Sequence, residues 1–299
     1  MGVLALDELV RQRTDIVGVI ARSDDPTPGQ WYPSVTKRAE AHGLTVYRPK
    51  DINAPEFVEQ VRRIKPDLLL TAFYPKIFKR PLLEAVPRGS VNLHFAPLPR
   101  YRGSYPGAWA IINGEKQHGI TMHYMDPGVD SGDIIGQIML DIAPDDTGLS
   151  LYKKCEEAGL ELLRATWPKL VAGEVQRIPQ DPAKVLYHDR TFPFGGVINF
   201  CWTAQQVHDH VRAMTFPPFP NPFTFFRRRK LTVLKTEIED NGRGNDAGKI
   251  VTVDAAGLSV QTRAGLVRLL AFADNRGKQR PVDEIIRDYG MQDGNYLGW

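Results

Sequence analysis

The sequence predicts an α/β protein in two parts. A doubly wound, mainly parallel sheet with helices on both faces comes first, and a small antiparallel barrel of the OB type follows. Three observations predict it. Apolar strand-like runs alternate with amphipathic segments through the first half. A Pro- and Gly-rich stretch at 189–196 then interrupts the chain. Beyond it, short apolar runs and turns follow one another at close spacing.

The elements follow in order. Residues 3–13 carry a helical pattern and 16–21 a strand. The next helix, 34–43, starts at Ser34, whose hydroxyl can accept from an unpaired first-turn amide. After a short strand at 44–47, the helix at 55–64 places Phe57, Val58, Val61 and Ile64 on one face. A strand at 67–72, a helix at 77–85 and a strand at 90–94 complete a rhythm that right-handed crossovers turn into a parallel sheet. Residues 119–125 and 133–142 read as an extended pair around a glycine-flanked loop, and 150–173 as a long helix. In the second part, a helix at 204–214 precedes strands at 224–226, 231–237, 248–253, 257–262 and 265–273. The expected division is therefore an α/β domain at 1–188, a linker at 189–202 and the OB-like domain at 203–299. A doubly wound domain opens on a strand, whereas this sequence opens on a helix. The expectation is that a first strand is missing ahead of Met1.

Composition narrows the class. A hydrophobic content of 42% with 24% charged residues is that of a soluble globular protein. No run approaches the roughly 20 apolar residues of a membrane span, and no signal peptide opens the sequence. Cys155 and Cys201 lie far apart without a CxxC pattern, which suits a reducing, cytoplasmic setting. A net charge of +3 is weak for a domain built to grip nucleic acid. Arg227-Arg-Arg-Lys230 reads as a solvated hairpin tip, and the aromatic, proline-rich 216–223 as core and turn.

The chemistry concentrates in two segments. Asn92-Leu-His-Phe-Ala-Pro-Leu-Pro-Arg-Tyr-Arg-Gly-Ser104 puts an amide and an imidazole on one face of a strand end. Met125-Asp-Pro-Gly-Val-Asp-Ser-Gly-Asp133 puts the Asp130 carboxylate in a tight loop. An amide donor for a developing oxyanion, a proton-handling imidazole and an orienting carboxylate are what moving a carbonyl group between nitrogens requires. Asn92 and His94 are assigned to the oxyanion, and Asp130 to holding His94 and taking or relaying the amine proton. His118 and His123 do not make a ligand set, and no metal is expected.

With these residues placed, the chain resembles the formyltransferases that use 10-formyltetrahydrofolate, over essentially its whole length. Asn92-Leu-His94, Leu98-Pro-Arg-Tyr-Arg-Gly103 and Val129-Asp-Ser-Gly-Asp133 match the motifs of their Rossmann-like catalytic domain. Val197-Ile-Asn-Phe and Val211-Arg-Ala213 match their C-terminal domain. The resemblance implies 10-formyltetrahydrofolate as formyl donor, in a pocket between the loops 73–77 and 126–130. Tyr74, Lys76, Ile77, Asp126 and Val129 contact it there, and Arg100, Tyr101, Arg102 and Gly103 lie on the acceptor side, with loop architecture the favoured alternative for Tyr101-Arg102-Gly103. One departure is Phe95-Ala-Pro-Leu-Pro99, where the tRNA and arabinose enzymes carry a serine at the position of Ala96.

Two subfamilies keep both domains, and the segment 21–34 separates them. In methionyl-tRNA formyltransferases this loop is longer and basic and wedges into the acceptor stem. Here it is short, with Asp24 and Asp25 and no lysine, a poor phosphate contact. Residues 23–51 look most like the formyltransferase part of the enzyme that modifies UDP-4-amino-4-deoxy-arabinose. The expected partner is thus a nucleotide-linked amino sugar, not a nucleic acid or a membrane. Initiator-tRNA formylation and a non-catalytic nucleotide-binding module are the competing readings. For the C-terminal domain the candidate roles are homodimer formation, a second nucleotide site, or bracing of the catalytic domain.

Overall fold

Helices and strands alternate as the hydrophobic rhythm requires. The order is α1 (Gly2–Arg11), β1 (Val19–Ile20), α2 (Val35–Ala41), β2 (Val46–Tyr47), α3 (Pro55–Ile64), β3 (Leu69–Ala72), α4 (Arg80–Leu83) and β4 (Ser90–His94). Next come β5 (Arg102–Gly103), α5 (Pro106–Ile112), β6 (Gln117–Tyr124), β7 (Ile134–Asp141), α6 (Gly148–Ala172) and β8 (Tyr187–His188). This computed structural model describes residues 1–27, 30–216, 219–274 and 277–298. It divides into two units. One comprises Met1–Pro106, His118–Leu140 and Lys153–Asp189, and the other Gly107–Gln117, Asp141–Tyr152 and Arg190–Trp299.

The sheet of the first unit has the order β3-β4-β6-β7. β3 and β4 run parallel, with Thr71 opposite Asn92. β4 and β6 run antiparallel, with Asn92 opposite His123 and His94 opposite Thr121. The sheet is therefore mixed, less uniformly parallel than the alternation predicts, because β6 and β7 enter it after a return of the chain. β1 and β2 form a separate parallel pair. Phe57, Val58 and Val61 of α3 pack with Ile52, Phe78 and Leu82, so the one-sided pattern of this helix becomes buried surface worth roughly 1.5–3 kcal/mol per large side chain. The helix predicted at 77–85 shortens to α4 because Asn53 captures the backbone ahead of it. Its Nδ2 donates to the Ile77 carbonyl at 2.9 Å, and its Oδ1 accepts from Lys79 N at 2.7 Å.

In the second unit, α7 (Ala204–Met214) precedes β9 (Phe223–Phe226), β10 (Arg229–Arg243), β11 (Ile250–Asp254), β12 (Gly257–Gln261), β13 (Ala264–Ala273), β14 (Gln279–Arg280) and α8 (Val282–Tyr289). The strands form one antiparallel sheet in the order β11-β12-β13-β10-β9, with β14 beside β13. Thr203 starts α7 with a reciprocal capping box to Gln206, which pairs two otherwise orphaned amides. Val207 and Val211 of this helix join Val233, Val267 and Phe272 in the core. Arg227 and Arg228 both take positive φ between paired Phe226 and Arg229, the two-residue hairpin tip that matches strand twist. The expected linker at 189–202 is not a free connector. Residues from 190 onward belong to the second unit, and Ile198 and Phe200 are buried in its core. Among the described residues, no helix is long and apolar enough to cross a membrane.

Candidate active site

Alternation along β4 places Asn92 and His94 on one face, and antiparallel pairing sets His123 of β6 directly across from Asn92. The Asn92 amide is oriented by two partners. Thr71 Oγ1 donates to its Oδ1 at 2.8 Å, and its Nδ2 lies 3.3 Å from His123 Nε2. His123 Nδ1 is 2.7 Å from the Tyr124 carbonyl. A carbonyl only accepts, so Nδ1 carries a proton and, in the neutral ring, Nε2 receives one from Asn92. The second Asn92 amide proton remains available to a ligand.

The same argument fixes His94. Its Nε2 stands 2.9 Å from the Tyr101 carbonyl and must donate to it, which leaves Nδ1 as the acceptor face of the neutral ring. Nδ1 lies 3.7 Å from Asp130 Oδ2. The oxyanion-donor role expected for His94 therefore requires an imidazolium, and the resting ring is built instead to receive a proton. Burial holds its pKa below the ordinary histidine value. The Asp130 charge and the Tyr101 carbonyl oppose that shift, and His123 adds to it.

Asp130 occupies the left-handed region at φ 50°. Its Oδ2 accepts from Gly103 N at 2.9 Å, and its Oδ1 lies 3.6 Å from His123 Nε2. Burial alone would raise its pKa. The positive charge of His94 when it is protonated, that of His123 likewise, and the Gly103 amide outweigh that and hold it at about 2. Only glycine fits at 103, where φ is +91° and an added Cβ would meet the His188 carbonyl oxygen at 2.0 Å. His123 is the residue missed by sequence reasoning. Its signal was a polar side chain between apolar Met122 and the end of a buried strand.

The loop from 95 to 101 is pinned through its backbone. Thr121 Oγ1 donates to the Ala96 carbonyl at 2.6 Å and accepts from Leu98 N at 3.1 Å. Gln137 Nε2 reaches both the Leu98 carbonyl and Thr121 Oγ1, at 3.0 and 2.8 Å, and His118 Nε2 donates to the Phe95 carbonyl at 2.7 Å. His118 is thus a brace. Tyr101, expected on the acceptor side, is 1% exposed, its ring stacked on His188 with centroids 5.8 Å apart. What it presents to the site is its carbonyl. Arg102 donates to Gln180 Oε1 from Nε and Nη2, at 3.0 and 2.8 Å. Arg100 is exposed and lies over the Tyr101 ring at 5.4 Å.

On the expected donor side, Phe73 takes φ 65° and rests edge-on against Phe95, with half of its surface exposed. Ile77 is similarly open, and Lys76 is exposed. Tyr74 packs on Phe78, and burial raises its hydroxyl pKa against an opposing effect of Arg22. Asp126 shapes its own loop, accepting from Gly128 N at 3.0 Å and Ser131 Oγ at 2.6 Å. Val129 sits half-buried beside Asp130.

This arrangement matches known proteins along the chain. Residues 4–166 match the formyl transferase model, and 195–290 match the formyl transferase C-terminal domain model. The chain belongs to the formyl transferase family. The methionyl-tRNA formyltransferase of Ruminiclostridium cellulolyticum is 36% identical to this formyltransferase, over 99% of this chain and 96% of its own. The methionyl-tRNA formyltransferase of Acetivibrio thermocellus is 35% identical over 98% and 95%. Among solved structures, the N-formyltransferase from Helicobacter canadensis, in complex with folinic acid and dTDP-3-aminofucose, aligns with a TM-score of 0.74 at 21% identity. That alignment covers 90% of this chain and 94% of that one. WlaRD, a sugar 3N-formyl transferase in the presence of dTDP and 5-N-formyl-THF, aligns at 0.70 with 20% identity, covering 90% and 93%. At such identity these two speak to the fold.

Proposed function

We propose that this formyltransferase moves a formyl group from 10-formyltetrahydrofolate to the amine of a nucleotide-linked amino sugar, with Asn92, His94 and Asp130 as the reacting set. The observation that carries the acceptor class is the loop from 22 to 34. Arg22 is the single cation in that stretch, and it is already engaged. Its Nε donates to Asp24 at 2.8 Å, Nη2 also meets Asp24, and Nη1 donates to the Tyr32 hydroxyl at 3.1 Å. Asp25 is buried and accepts from Thr36 N, Ser34 Oγ and Gln30 Nε2. Grip on a phosphate backbone needs free cations, whereas exposed Trp31 and Tyr32 suit the flat faces of a base or sugar. The solved neighbours named above support the same acceptor class.

The donor supplies an electrophilic formyl carbon and a nitrogen leaving group. The half-exposed Phe73 and Ile77 suit the face of a conjugated ring. As the amine attacks, the new C–N bond forms and the carbonyl oxygen gains negative charge, to which Asn92 Nδ2 donates. His94 Nδ1 takes the proton that the amine loses, and Asp130 stabilises the resulting imidazolium. The imidazolium returns the proton to the departing nitrogen as its bond to the formyl carbon breaks. Neutral His94 is thus restored.

Methionyl-tRNA is the second reading, favoured by relatives at 36% and 35% identity over nearly the whole chain. Mass spectrometry of reactions with 10-formyltetrahydrofolate separates the two, using UDP-, dTDP- and GDP-linked 3- and 4-amino sugars beside methionyl-tRNA. A gain of one formyl group on a sugar, lost in His94→Ala, is the expected result. Gain on the tRNA alone overturns the assignment of the acceptor.

A further inference from the structure

Residues 167–194 lie between the two matched family segments. Their middle is nevertheless tied into the first unit at both ends. Ile178 exchanges backbone hydrogen bonds with Ile134 at 2.8 and 2.9 Å, and the Leu186 and His188 carbonyls accept from Arg102 N and Ser104 N at 2.8 and 2.9 Å. Between these anchors Gln180 turns its amide onto the Asp130 loop. Nε2 donates to the carbonyls of Asp130 and Gly132, both at 2.8 Å, while Oε1 accepts both Arg102 bonds. The side chain makes four hydrogen bonds, the full capacity of the group.

We propose that Gln180 is the positioning residue for Asp130, with Arg102 as the partner that sets the direction of its amide. Three features carry this. Asp130 holds a positive φ, a conformation uncommon for L-residues though better tolerated by aspartate than by most, so its backbone gains from being held. Gln180 grips the carbonyl of that residue, and the amide of Gly103, next to Arg102, grips its carboxylate. Arg102 can only donate, so it forces Oε1 toward itself and Nε2 toward the two carbonyls. The oxygen and nitrogen ends of the amide are therefore not interchangeable. Arg102 acts through this chain of bonds and not by touching an acceptor. The proposal rests on Asp130 serving His94 and is independent of which amine is formylated.

The discriminating variants are Gln180→Glu, which keeps the Arg102 partner but turns an oxygen onto the two carbonyls, and Gln180→Met, which keeps the length and removes all four bonds. Two readouts are taken. The first needs no acceptor: NMR titration of the His94 ring in wild type, both variants and Asp130→Asn. In Gln180→Met the His94 titration is expected to move to lower pH, in the direction of Asp130→Asn, because the carboxylate that supports its protonated form has shifted away, whereas the carboxylate of Gln180→Glu adds a charge that opposes this move. The second is turnover with whichever acceptor proves active. A fall of about ten- to a hundredfold in kcat is expected, with the KM for the formyl donor within about twofold, since small displacements of a reacting group cost rate more than binding. A folded Gln180→Met with a wild-type His94 titration overturns the proposal. So does loss of the fold in both variants, which would make Gln180 a structural residue. Silence of every acceptor with a shifted His94 titration would count against the acceptor assignment alone.

Discussion

Two loops of the first unit, 95–104 and 22–34, are held in opposite ways. The first is tied down along its length by side chains from elsewhere: His118 at Phe95, Thr121 at Ala96 and Leu98, Gln137 at Leu98, and Asp130 at Gly103. The second is fastened at its base, where buried Asp25 collects Thr36, Ser34 and Gln30, while Trp31 and Tyr32 remain exposed. On the proposed function the difference separates tasks. A loop that holds reacting groups must not move, because positional error lowers the rate. A loop proposed to meet the acceptor can keep aromatic side chains exposed while Asp25 anchors it to the fold.

Asp130→Asn should break the first loop's chemistry most severely. We expect kcat to fall by about a thousandfold, within the range attributed to a proton-handling group, with the thermal midpoint changed by only a few degrees. Steady-state kinetics beside a melting curve measure both. An unchanged kcat would remove Asp130 from the reaction.

Thr121→Val and Trp31→Ala sharpen the contrast between the loops. Thr121 is fully buried and serves Leu98 N, the Ala96 carbonyl and Gln137 at once. Its loss should cost about 2–4 kcal/mol, because buried polar groups are left without partners. Turnover should fall for every acceptor. Trp31→Ala should change stability by less than about 0.5 kcal/mol, as exposed substitutions do, and raise KM for the acceptor about tenfold with kcat preserved. Denaturant titration and kinetics on two acceptors test the pair. Equal effects of the two variants would dissolve the distinction.

The pH dependence is the smallest of these effects. His94 is held below the ordinary value of 6.5 and must be neutral to accept at Nδ1, so kcat should rise with pH through a limb below 6.5. Asp130, at about 2, stays ionised throughout that range and adds no limb of its own. Any residual activity of Asp130→Asn should show the limb moved to lower pH, because the charge that favours the imidazolium is gone. A limb moving upward would reverse the roles given to the pair.

Asn92, His94 and Asp130 were legible in the sequence as candidates because each sits in a short segment of suggestive residue types, and the structure brings them into one neighbourhood. The two-part fold was legible for a similar reason, since periodicity is local. His123 was not, because its place depends on the register by which β6 meets β4. For Tyr101 and Arg102 the sequence left two roles open, substrate contact and loop architecture, because a tyrosine and an arginine beside a site fit either. The structure uses the Tyr101 carbonyl on His94 and the Arg102 guanidinium on Gln180. The helix at 77–85 was overestimated because Asn53, far back in the chain, competes for its backbone.

The stretch between the two family segments also bears on how such proteins can be recombined. A chimera joined at 166, where the first family match ends, would set Gln180 and His188 of one parent behind the Asp130 and Gly103 loops of another. A joint after Asp189 keeps the Asp130 and Gly103 loops with Gln180 and His188, while leaving residues 107–117 and 141–152, which group with the second unit, on the first parent's side. If Asp130 and Gln180 act as proposed, shuffled formyltransferases cut at the first point would inherit the reacting atoms of one lineage and the alignment of another.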